Sequence, residues 1–361
     1  MVVLIVSLIR KALDHPPIEA AYIAGILKAA KKSYDVLDLN LEQYISSRIK
    51  NLDPQAHGMG GYYSAGFIHE MSIAINHLAP DYVIYVADKT GLDSLTILLE
   101  KVSCDAFSIM ALDEAEKFRS LFSKSAEYIL TDYLEFAANP VIGLGSACEA
   151  VPSFDKFKLY DYTCRILPIK VDSRSSSDLR YSTHLIALIK TYIQLYGVRE
   201  YVIRDFPAGS EELLCSFSAG ICSKRIKISW VARAEISAGL TLGLLSKLVM
   251  SGCHMLHFPI PTLSDRLILQ ANLPYSSELA LKVIRDAKNA GLTTGVILKT
   301  GLQGERSEDI IETVRKLSEN SLYVDDIVAV EPMPGADAGH EAKKNRILGM
   351  CEKSNIYICC R

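Results

Sequence analysis

The residues with the greatest potential for chemistry lie in one polar stretch, Leu167 to Ser182, which reads LPIKVDSRSSSDLRYS. Arg174 and the serines beside it offer a guanidinium group and several hydroxyls, which are groups that bind phosphate. The same composition is typical of a polar surface loop that closes a turn and binds nothing. A phosphate-binding loop and a plain surface loop are therefore both open interpretations of this stretch.

Charged residues also follow the predicted strands of the second half of the chain. In a parallel barrel the carboxyl ends of the strands carry the chemistry. The residues at these ends are Asp172 to Arg180, Asp205, Arg233, Glu235, His257, Lys299 and Glu331. A strand-end arginine that faces a cavity is costly to keep without an anionic partner, so a binding role and a structural role are both open interpretations of Arg233. His254 and His257 lie three residues apart on one strand, so at most one of them points inward.

The elements that must position these residues fall into two α/β series. Strand and helix patterns alternate over residues 1–145, which predicts a Rossmann-like, doubly wound parallel sheet. Residues 146–166 have no clear period and predict an interdomain linker. Residues 167–361 contain six predicted strands with five intervening helices, which predicts a partial (β/α)6 barrel of the TIM type with a C-terminal tail. The predicted fold class is therefore α/β, with the doubly wound sheet followed by the partial barrel.

Composition excludes several classes of protein. A chain of 361 residues is long enough for about two domains. Its net charge of −3 provides no basic field, so nucleic acid is not an expected partner. No run reaches the roughly 18 apolar residues that a membrane helix needs, and no membrane association is expected. The apolar N-terminal run predicts a buried first strand, not a targeting segment, so the expected location is the cytoplasm.

Nine cysteines are spread along the chain without any CxxC or CxxxCxxC spacing. An odd number of cysteines in a large α/β chain favours reduced thiols over a framework of disulfides. Most of these cysteines have apolar neighbours, which is typical of small buried side chains. Cys164, Cys215, Cys222 and Cys253 do not converge on any simple arrangement of strands, so no metal ligand is predicted among them.

Five segments of the second half resemble, in order, the motifs of the radical S-adenosylmethionine (radical SAM) superfamily. They read YGVREYVIRDF, ISWVARAEIS, LVMSGCHMLHFPIPTLSDRLI, AKNAGLTTGVILKTGLQGERSEDI and PMPGA. In the first half, HPPIEAAYIAGIL and APDYVIYV are similar to segments of the superfamily's branch with an N-terminal cobalamin-binding domain. The resemblance implies a cobalamin-binding-type domain followed by a barrel that holds S-adenosylmethionine and a 4Fe-4S cluster.

The superfamily's defining motif, CxxxCxxC, is missing from the place where the resemblance puts it. Laid on this pattern without a gap, LPIKVDSRSSSDLRYS has Ser175, Leu179 and Ser182 at the three cysteine positions. Iron–sulfur clusters are held by cysteine thiolates, and neither a neutral hydroxyl nor a leucine side chain replaces them. The resemblance therefore implies a degenerate member of the superfamily, with no metal ligands at these positions.

Other positions either depart from the resemblance or retain it. The GxES motif is replaced by Phe258 to Thr262, and a GGxHPT-like turn near the cobalamin tail is replaced by ALDEAEKF, which argues against cobalamin. The resemblance implies cofactor-binding positions at Arg233, Asp205, Gly301, Gly304 and Glu305. For the last three an alternative stays open, since glycines permit turns and a glutamate favours the start of a helix.

Three functional hypotheses follow from these positions. The favoured one is a pseudoenzyme that lacks the cluster and acts as a binding or partner subunit, for a protein partner or a small-molecule ligand. The second is an enzyme that uses S-adenosylmethionine, cobalamin or both without a cluster, for example in methyl transfer. The third is a radical SAM enzyme with an atypical cluster. No catalytic residue is assigned, and the cofactors are left open.

Overall fold

The protein is described by a computed structural model. It describes residues 1–8, 15–49, 63–112, 115–122, 125–126, 128–131, 151–162, 166–171, 179–206, 209–332 and 340–353. The chain divides into two compact units, Met1–Pro168 and Ile169–Arg361. Among the helices described, none combines the length and the apolar character that crossing a bilayer requires.

The first unit contains a five-stranded parallel sheet with the strand order β2-β1-β3-β4-β5. Its elements are β1 (Val2–Ser7), α1 (Ile18–Ala29), β2 (Ser33–Asp38), α2 (Leu39–Ile49), α3 (Ala65–Leu78), β3 (Tyr82–Ala87), α4 (Leu92–Lys101), β4 (Phe107–Ala111), α5 (Ala115–Phe122) and β5 (Tyr128–Leu130). All six residues of β3 are buried, as expected for a strand covered by helices on both faces. The strand order reverses at β1, and this order confirms the predicted doubly wound sheet.

Helix α2 and the segment 151–162 differ from the sequence-based expectation. Residues 41–65 read as a polar connection, yet α2 forms because Leu41, Tyr44 and Ile45 pack around Tyr162. The segment that carries Tyr162 falls within the predicted linker 146–166. The structure nevertheless packs its described part against the first unit, where the Ser153 backbone N–H donates to the Ala21 carbonyl at 2.9 Å. The division of the chain accordingly falls after Pro168.

The second unit is organised around a six-stranded sheet in which the strands follow each other in chain order, from β6 to β11. The described registers of β7 to β11 are all parallel. The elements are β6 (Ile166–Lys170), α6 (Leu179–Tyr196), β7 (Glu200–Phe206), α7 (Glu211–Ser223), β8 (Ser229–Ala234), α8 (Leu242–Met250), β9 (Cys253–Pro259), α9 (Asp265–Gln270), α10 (Ser277–Asn289), β10 (Thr293–Thr300), α11 (Ser307–Glu319), β11 (Asp326–Pro332) and α12 (His340–Lys353). This arrangement confirms the predicted partial barrel, although two helices, α9 and α10, lie between β9 and β10 where one was expected.

Trp230 shows which face of this sheet is covered by helices. Its side chain is fully buried, meets Phe217 of α7 edge-on, and donates from Nε1 to the Ser251 carbonyl at 3.1 Å. Successive residues of a strand point to opposite faces, so Val231 and Arg233 lie on the other side. Since the helices of a barrel form its outer ring, Arg233 faces the concave side of the sheet.

Candidate functional site

Arg233 and His257 lie side by side on the concave face. They are register partners on the neighbouring strands β8 and β9, and His257 is in turn the register partner of Gly295 on β10. Both side chains are partly exposed, whereas the residues before them, Ala232 and Leu256, are fully buried on the helix side. A guanidinium and an imidazole therefore stand together near the carboxyl ends of two central strands, where barrels carry their chemistry.

Met255 orients the imidazole. It precedes His257 by two residues and so lies on the same face, with its Sδ atom 2.9 Å from His257 Nε2. A thioether sulfur has no hydrogen and can only accept, so this contact favours the proton on Nε2. The ring is thereby held in one orientation on the concave face.

Two other predicted strand-end positions are described only in part. Asp205 lies where the pairing of β7 with β8 becomes irregular, between Ile203 and Phe206, and its side chain is outside the described residues. Lys299 on β10 is partly exposed and pairs in register with Glu331 on β11, whose side chain is likewise not described. The structure therefore brings Arg233 and His257 together, while a role for Asp205 stays a prediction.

Three positions correspond to the cluster cysteines of the superfamily, and only the third has a side chain that the structure describes. Ser175 lies outside the described residues, and Leu179 begins helix α6, with its side chain not described. Ser182 is 3% exposed, and its Oγ lies 2.9 Å from the Ser216 Oγ of α7. The third position is thus a neutral hydroxyl bonded to another hydroxyl between two helices. This donor set does not fit an iron–sulfur cluster, which needs thiolates.

The replaced GxES motif is part of the apolar core. Phe258 and Ile260 are both fully buried, and the Ile260 backbone N–H donates to the Ile297 carbonyl at 2.8 Å. Thr262, the last residue of the replaced segment, is also buried, and its Oγ1 lies 3.0 Å from Thr313 Oγ1 of α11. The segment from Phe258 to Thr262 therefore carries no acidic side chain, and three of its five residues are buried.

A buried polar clamp ties the chain after β9 to helix α11. Asp309 accepts from Ser264 Oγ at 2.7 Å, from Arg266 Nε at 3.1 Å, and from the Arg306 backbone N–H at 2.8 Å. Burial works to raise the pKa of Asp309, but the hydrogen bonds from Arg266 and Ser264 outweigh it and hold this pKa below its ordinary value. The clamp therefore fixes helix α11 to the chain that follows β9.

The loop from Gly301 to Glu305 is held by contacts within the protein. Gly301 and Gly304 have φ of 84° and 78°, the left-handed region that glycine adopts most readily. Glu305 accepts from the Gly301 backbone N–H at 3.0 Å and pairs with Lys343 of α12 at 3.1 Å. Its side chain is 4% exposed. These contacts support the structural interpretation of Gly301, Gly304 and Glu305, while a cofactor role for them stays a prediction.

The described cysteines do not form a second site. Cys253 and Cys351 are buried, Cys104 and Cys215 are partly buried, and Cys222 is exposed. Burial raises the pKa of the Cys253 thiol. Within the part of the chain that the structure describes, no group of three or more His, Cys, Asp or Glu side chains could hold a metal ion.

In the first unit, a buried carboxyl group lies at the end of β2. Asp38 accepts from the Tyr162 hydroxyl at 2.7 Å and from the Asn40 backbone N–H at 3.1 Å. Burial raises the pKa of Asp38 to about 6, although both hydrogen bonds act to lower it. This contact joins the segment 151–162 to the end of β2, and an ion pair between Lys158 and Glu42 joins the same segment to α2.

At the reversal of strand order, where such sheets bind ligands, β1 ends close to the residues that follow β3. A Cβ atom on Gly91 would lie 2.8 Å from the Leu8 carbonyl oxygen, so only glycine permits this approach. The Asp88 side chain caps the same turn by accepting from the backbone N–H groups of Thr90 and Gly91.

The replaced GGxHPT-like turn lies partly outside the described residues, and helix α5 begins at Ala115. The argument against cobalamin from this turn therefore stays a prediction.

Comparison with known proteins relates the whole chain to one class of fold. No protein-family model and no curated protein sequence matches it. Among solved structures, the cobalamin-dependent S-adenosylmethionine radical enzyme OxsB superposes with a TM-score of 0.62, at 10% identity, over 98% of this chain. The radical S-adenosylmethionine methyltransferase TsrM from Kitasatospora setae superposes with a TM-score of 0.59, at 11% identity, over 91% of this chain.

The fold is that of cobalamin-dependent radical SAM enzymes. The structural comparison thus confirms the resemblance seen in the sequence motifs. OxsB has been solved with aqua-cobalamin and S-adenosylmethionine bound, and TsrM with cobalamin and a 4Fe-4S cluster bound. This chain spans 56% of the OxsB chain and 74% of the TsrM chain.

The pairing of Arg233 with His257 is the feature that sequence reasoning missed. Both residues appear among the predicted strand ends, but their adjacency depends on the register between β8 and β9. That register shifts after Trp230, which pairs with Cys253, while Val231 pairs with Met255. Hydrophobic alternation indicates which face a residue occupies, but it does not show where one strand slips by a residue against the next.

Proposed function

We propose that this protein is a binding subunit built on the cobalamin-dependent radical SAM fold, and that it works without a 4Fe-4S cluster. The observation that carries the proposal is the state of the cluster slot. The chain has no CxxxCxxC motif, and Ser182 at the third position is a buried hydroxyl bonded to Ser216. Without thiolates at these positions, the barrel lacks the ligands for the 4Fe-4S cluster that supplies the electron in radical SAM enzymes.

The retained parts of the fold support a binding role. The concave face still carries Arg233, beside His257, at the ends of two central strands. The clamp around Asp309 and the loop from Gly301 to Glu305 hold the surrounding frame in place. The proposed partner is a small molecule or another protein, since a net charge of −3 does not favour nucleic acid. The proposed location is the cytoplasm, where the expected reduced thiols persist.

The decisive experiment is a metal and chromophore analysis of the full chain purified without air. After anaerobic reconstitution with iron and sulfide, we expect no stoichiometric iron, no visible cluster absorbance, and no 5′-deoxyadenosine when S-adenosylmethionine and a strong reductant are added. Stoichiometric iron that disappears when one cysteine is changed to serine would overturn the proposal in favour of an atypical cluster. A matched variant, S175C/L179C/S182C, tests whether restoring the thiolates restores iron uptake.

A second candidate is an enzyme that uses S-adenosylmethionine or cobalamin without a cluster. The position of Arg233 on the concave face favours it, because the resemblance places this arginine on the S-adenosylmethionine side of the cavity. Calorimetric titration of the full chain with S-adenosylmethionine and, separately, with aquacobalamin tests this candidate. Saturable binding of either one supports it, and no heat from both removes it.

A further inference from the structure

We propose that the amino-terminal end of the barrel, where its strands begin, is a docking surface for an acidic segment of a partner protein. The surface is formed by four exposed cationic side chains, which we call the basic end: Arg199, Lys224, Arg225 and Lys227. These residues precede β7 and β8, so they lie at the opposite end of the strands from the candidate functional site. The inference goes beyond the proposed function, because it does not depend on the state of the cluster positions.

Hydrogen bonds bring the segments of the basic end together. Arg199 is the residue before β7, and its Nη1 donates to the Lys227 carbonyl at 3.0 Å. The Ser229 backbone N–H donates to the Arg199 carbonyl at 2.9 Å, which joins the same two segments. Lys224 and Arg225 lie in the short turn between α7 and Lys227. An extended segment advances about 3.3 Å per residue, so a short acidic segment spans this surface.

The four charges are not neutralised within the part of the chain that the structure describes. None of them forms an ion pair there, and the segments 197–200 and 224–229 contain one acidic residue, Glu200. Near the start of β10, by contrast, Lys288 is paired with Asp325. The basic end therefore carries an excess of positive charge in a chain whose net charge is −3. Such an excess attracts an anionic partner and speeds its association.

Arg225 occupies a backbone position that favours glycine. Its φ is 52°, and the Ile226 backbone N–H donates to the Ile221 carbonyl at 3.1 Å, which is the hydrogen-bond pattern of a Schellman motif. Three other helices of the second unit end on glycines with positive φ: Gly197 after α6, Gly252 after α8 and Gly291 after α10. A residue with a Cβ atom pays a conformational cost in this region. The chain therefore keeps an arginine where glycine would give a more stable turn, and such outliers point to a function.

The distribution of charge favours an acidic protein segment over nucleic acid. Arginine and lysine side chains form charge-assisted hydrogen bonds with the carboxylates of aspartate and glutamate. A long polyanion would also meet the remaining surface of a chain whose net charge is −3, which repels it. A short acidic segment contacts only the basic end.

The test is fluorescence anisotropy of a fluorescein-labelled decaglutamate peptide, titrated with the full chain at low salt. We expect saturable binding that weakens as sodium chloride is added, because exposed charges are screened. The variant R225G/K227Q should bind the peptide roughly three- to tenfold more weakly. The matched control, K282Q/R315Q, removes two exposed charges that are paired with acids on their own helices, and it should bind nearly as the unaltered chain does.

Arg225→Gly alone separates binding from folding. Because glycine suits the turn, this variant should unfold at a temperature about 1–3 °C higher while it binds the peptide more weakly. A lower unfolding temperature would show that the arginine stabilises the turn, and it would overturn the argument that the residue is kept for binding.

Binding that does not saturate, or equal affinities for R225G/K227Q and the unaltered chain, overturns the inference. A decathymidylate oligonucleotide that binds more tightly than the peptide, and loses affinity in R225G/K227Q, overturns it in favour of nucleic acid. A dimer that is seen by light scattering and lost in R225G/K227Q overturns it in favour of a second copy of this chain. These outcomes are separable from the iron analysis, which tests the cluster positions and not the basic end.

Discussion

Asp38 has a carboxyl group whose ionisation opposes folding. Burial raises its pKa to about 6, above its ordinary value, even though Tyr162 and Asn40 both donate to it. When folding raises the pKa of a group, that group adds to the free energy of unfolding. The added stability is fully present below the unfolded pKa and is lost as the pH rises through the folded pKa. The carboxyl group of Asp38 therefore stabilises the protein least above about pH 6.

We expect Asp38→Asn to stabilise the protein more at pH 8 than at pH 5, by a difference on the order of 1–3 kcal/mol. The amide keeps the shape of the side chain and cannot ionise. Thermal unfolding at the two pH values measures the effect. The control is Asp35→Asn, which removes an exposed carboxylate from the same strand and should change stability little at either pH. Equal effects of Asp38→Asn at both pH values would contradict the burial argument.

Asp309 shows the opposite case, a buried carboxylate with enough partners to favour its charge. It is 3% exposed, accepts from Ser264 and Arg266, and has a pKa held below its ordinary value. Asp309→Asn should destabilise the protein by about 2–4 kcal/mol at pH 7, because it leaves Arg266 without its charged partner. Because folding lowers the pKa of Asp309, the stability that its carboxylate adds is lost as the pH falls. The destabilisation caused by Asp309→Asn should therefore shrink toward pH 3.

Denaturant unfolding at several pH values measures the penalty of the Asp309 variant. Glu319→Gln is the matched control, since Glu319 lies on the same helix in a solvent-exposed ion pair with Arg315. Its effect should stay below roughly 0.5 kcal/mol. Similar losses for both variants would show that the clamp contributes no more than a surface pair.

At the scale of elements, Gly25 decides whether the segment 151–162 can lie on helix α1. A Cβ atom at this position would come 1.9 Å from the Val151 carbonyl oxygen. We expect Gly25→Ala to displace the segment, lower the melting temperature and increase amide exchange over residues 151–162, because a backbone atom yields less readily than a side chain. Exchange mass spectrometry and thermal unfolding measure both effects.

Gly66→Ala on helix α3 is the matched control for this variant. Nothing lies within 4 Å of the added methyl group there, so the change should be neutral or slightly stabilising, as alanine favours helix over glycine. Unchanged exchange over residues 151–162 in Gly25→Ala would mean that the segment is not held against α1.

The elements that sequence patterns predicted well are those whose own residues determine them. The continuous apolar run of β3 indicates a buried parallel strand, and it forms one. Helix α2 was missed because its apolar face becomes evident only when Tyr162, far along the chain, packs against Leu41. Ser182 could be placed at the cluster spacing from the sequence, but its bond to Ser216 depends on how α6 meets α7. A local sequence pattern does not predict tertiary contacts of this kind.

At the scale of the whole molecule, the similarity to OxsB and TsrM extends over nearly the full chain, although fewer than an eighth of the aligned residues are identical. Such a pattern is expected when burial and strand order persist while site residues change. The fold therefore says where a ligand would lie, at the carboxyl ends of the strands. The residues at those ends, Arg233 and His257 among them, are the ones that would contact such a ligand.

The cysteines provide a test of the whole chain, because they lie in both units and differ widely in exposure. Cys222 is exposed, whereas Cys253 in β9 is 2% exposed and Cys351 in α12 is fully buried. Reaction with iodoacetamide needs an accessible thiolate, so Cys253 and Cys351 should react about 100-fold or more slowly than Cys222 in the native protein. Mass spectrometry of the peptides after timed alkylation measures each rate separately.

The same reagent in denaturant and without a reductant should modify all nine cysteines if the thiols are reduced. Fast modification of Cys351 in the native protein would show that α12 leaves the second unit, which would contradict its docking through Lys343 and Glu305. Protection of Cys351 together with Cys253 is expected instead, because both thiols become accessible only when the packing around the barrel strands is lost.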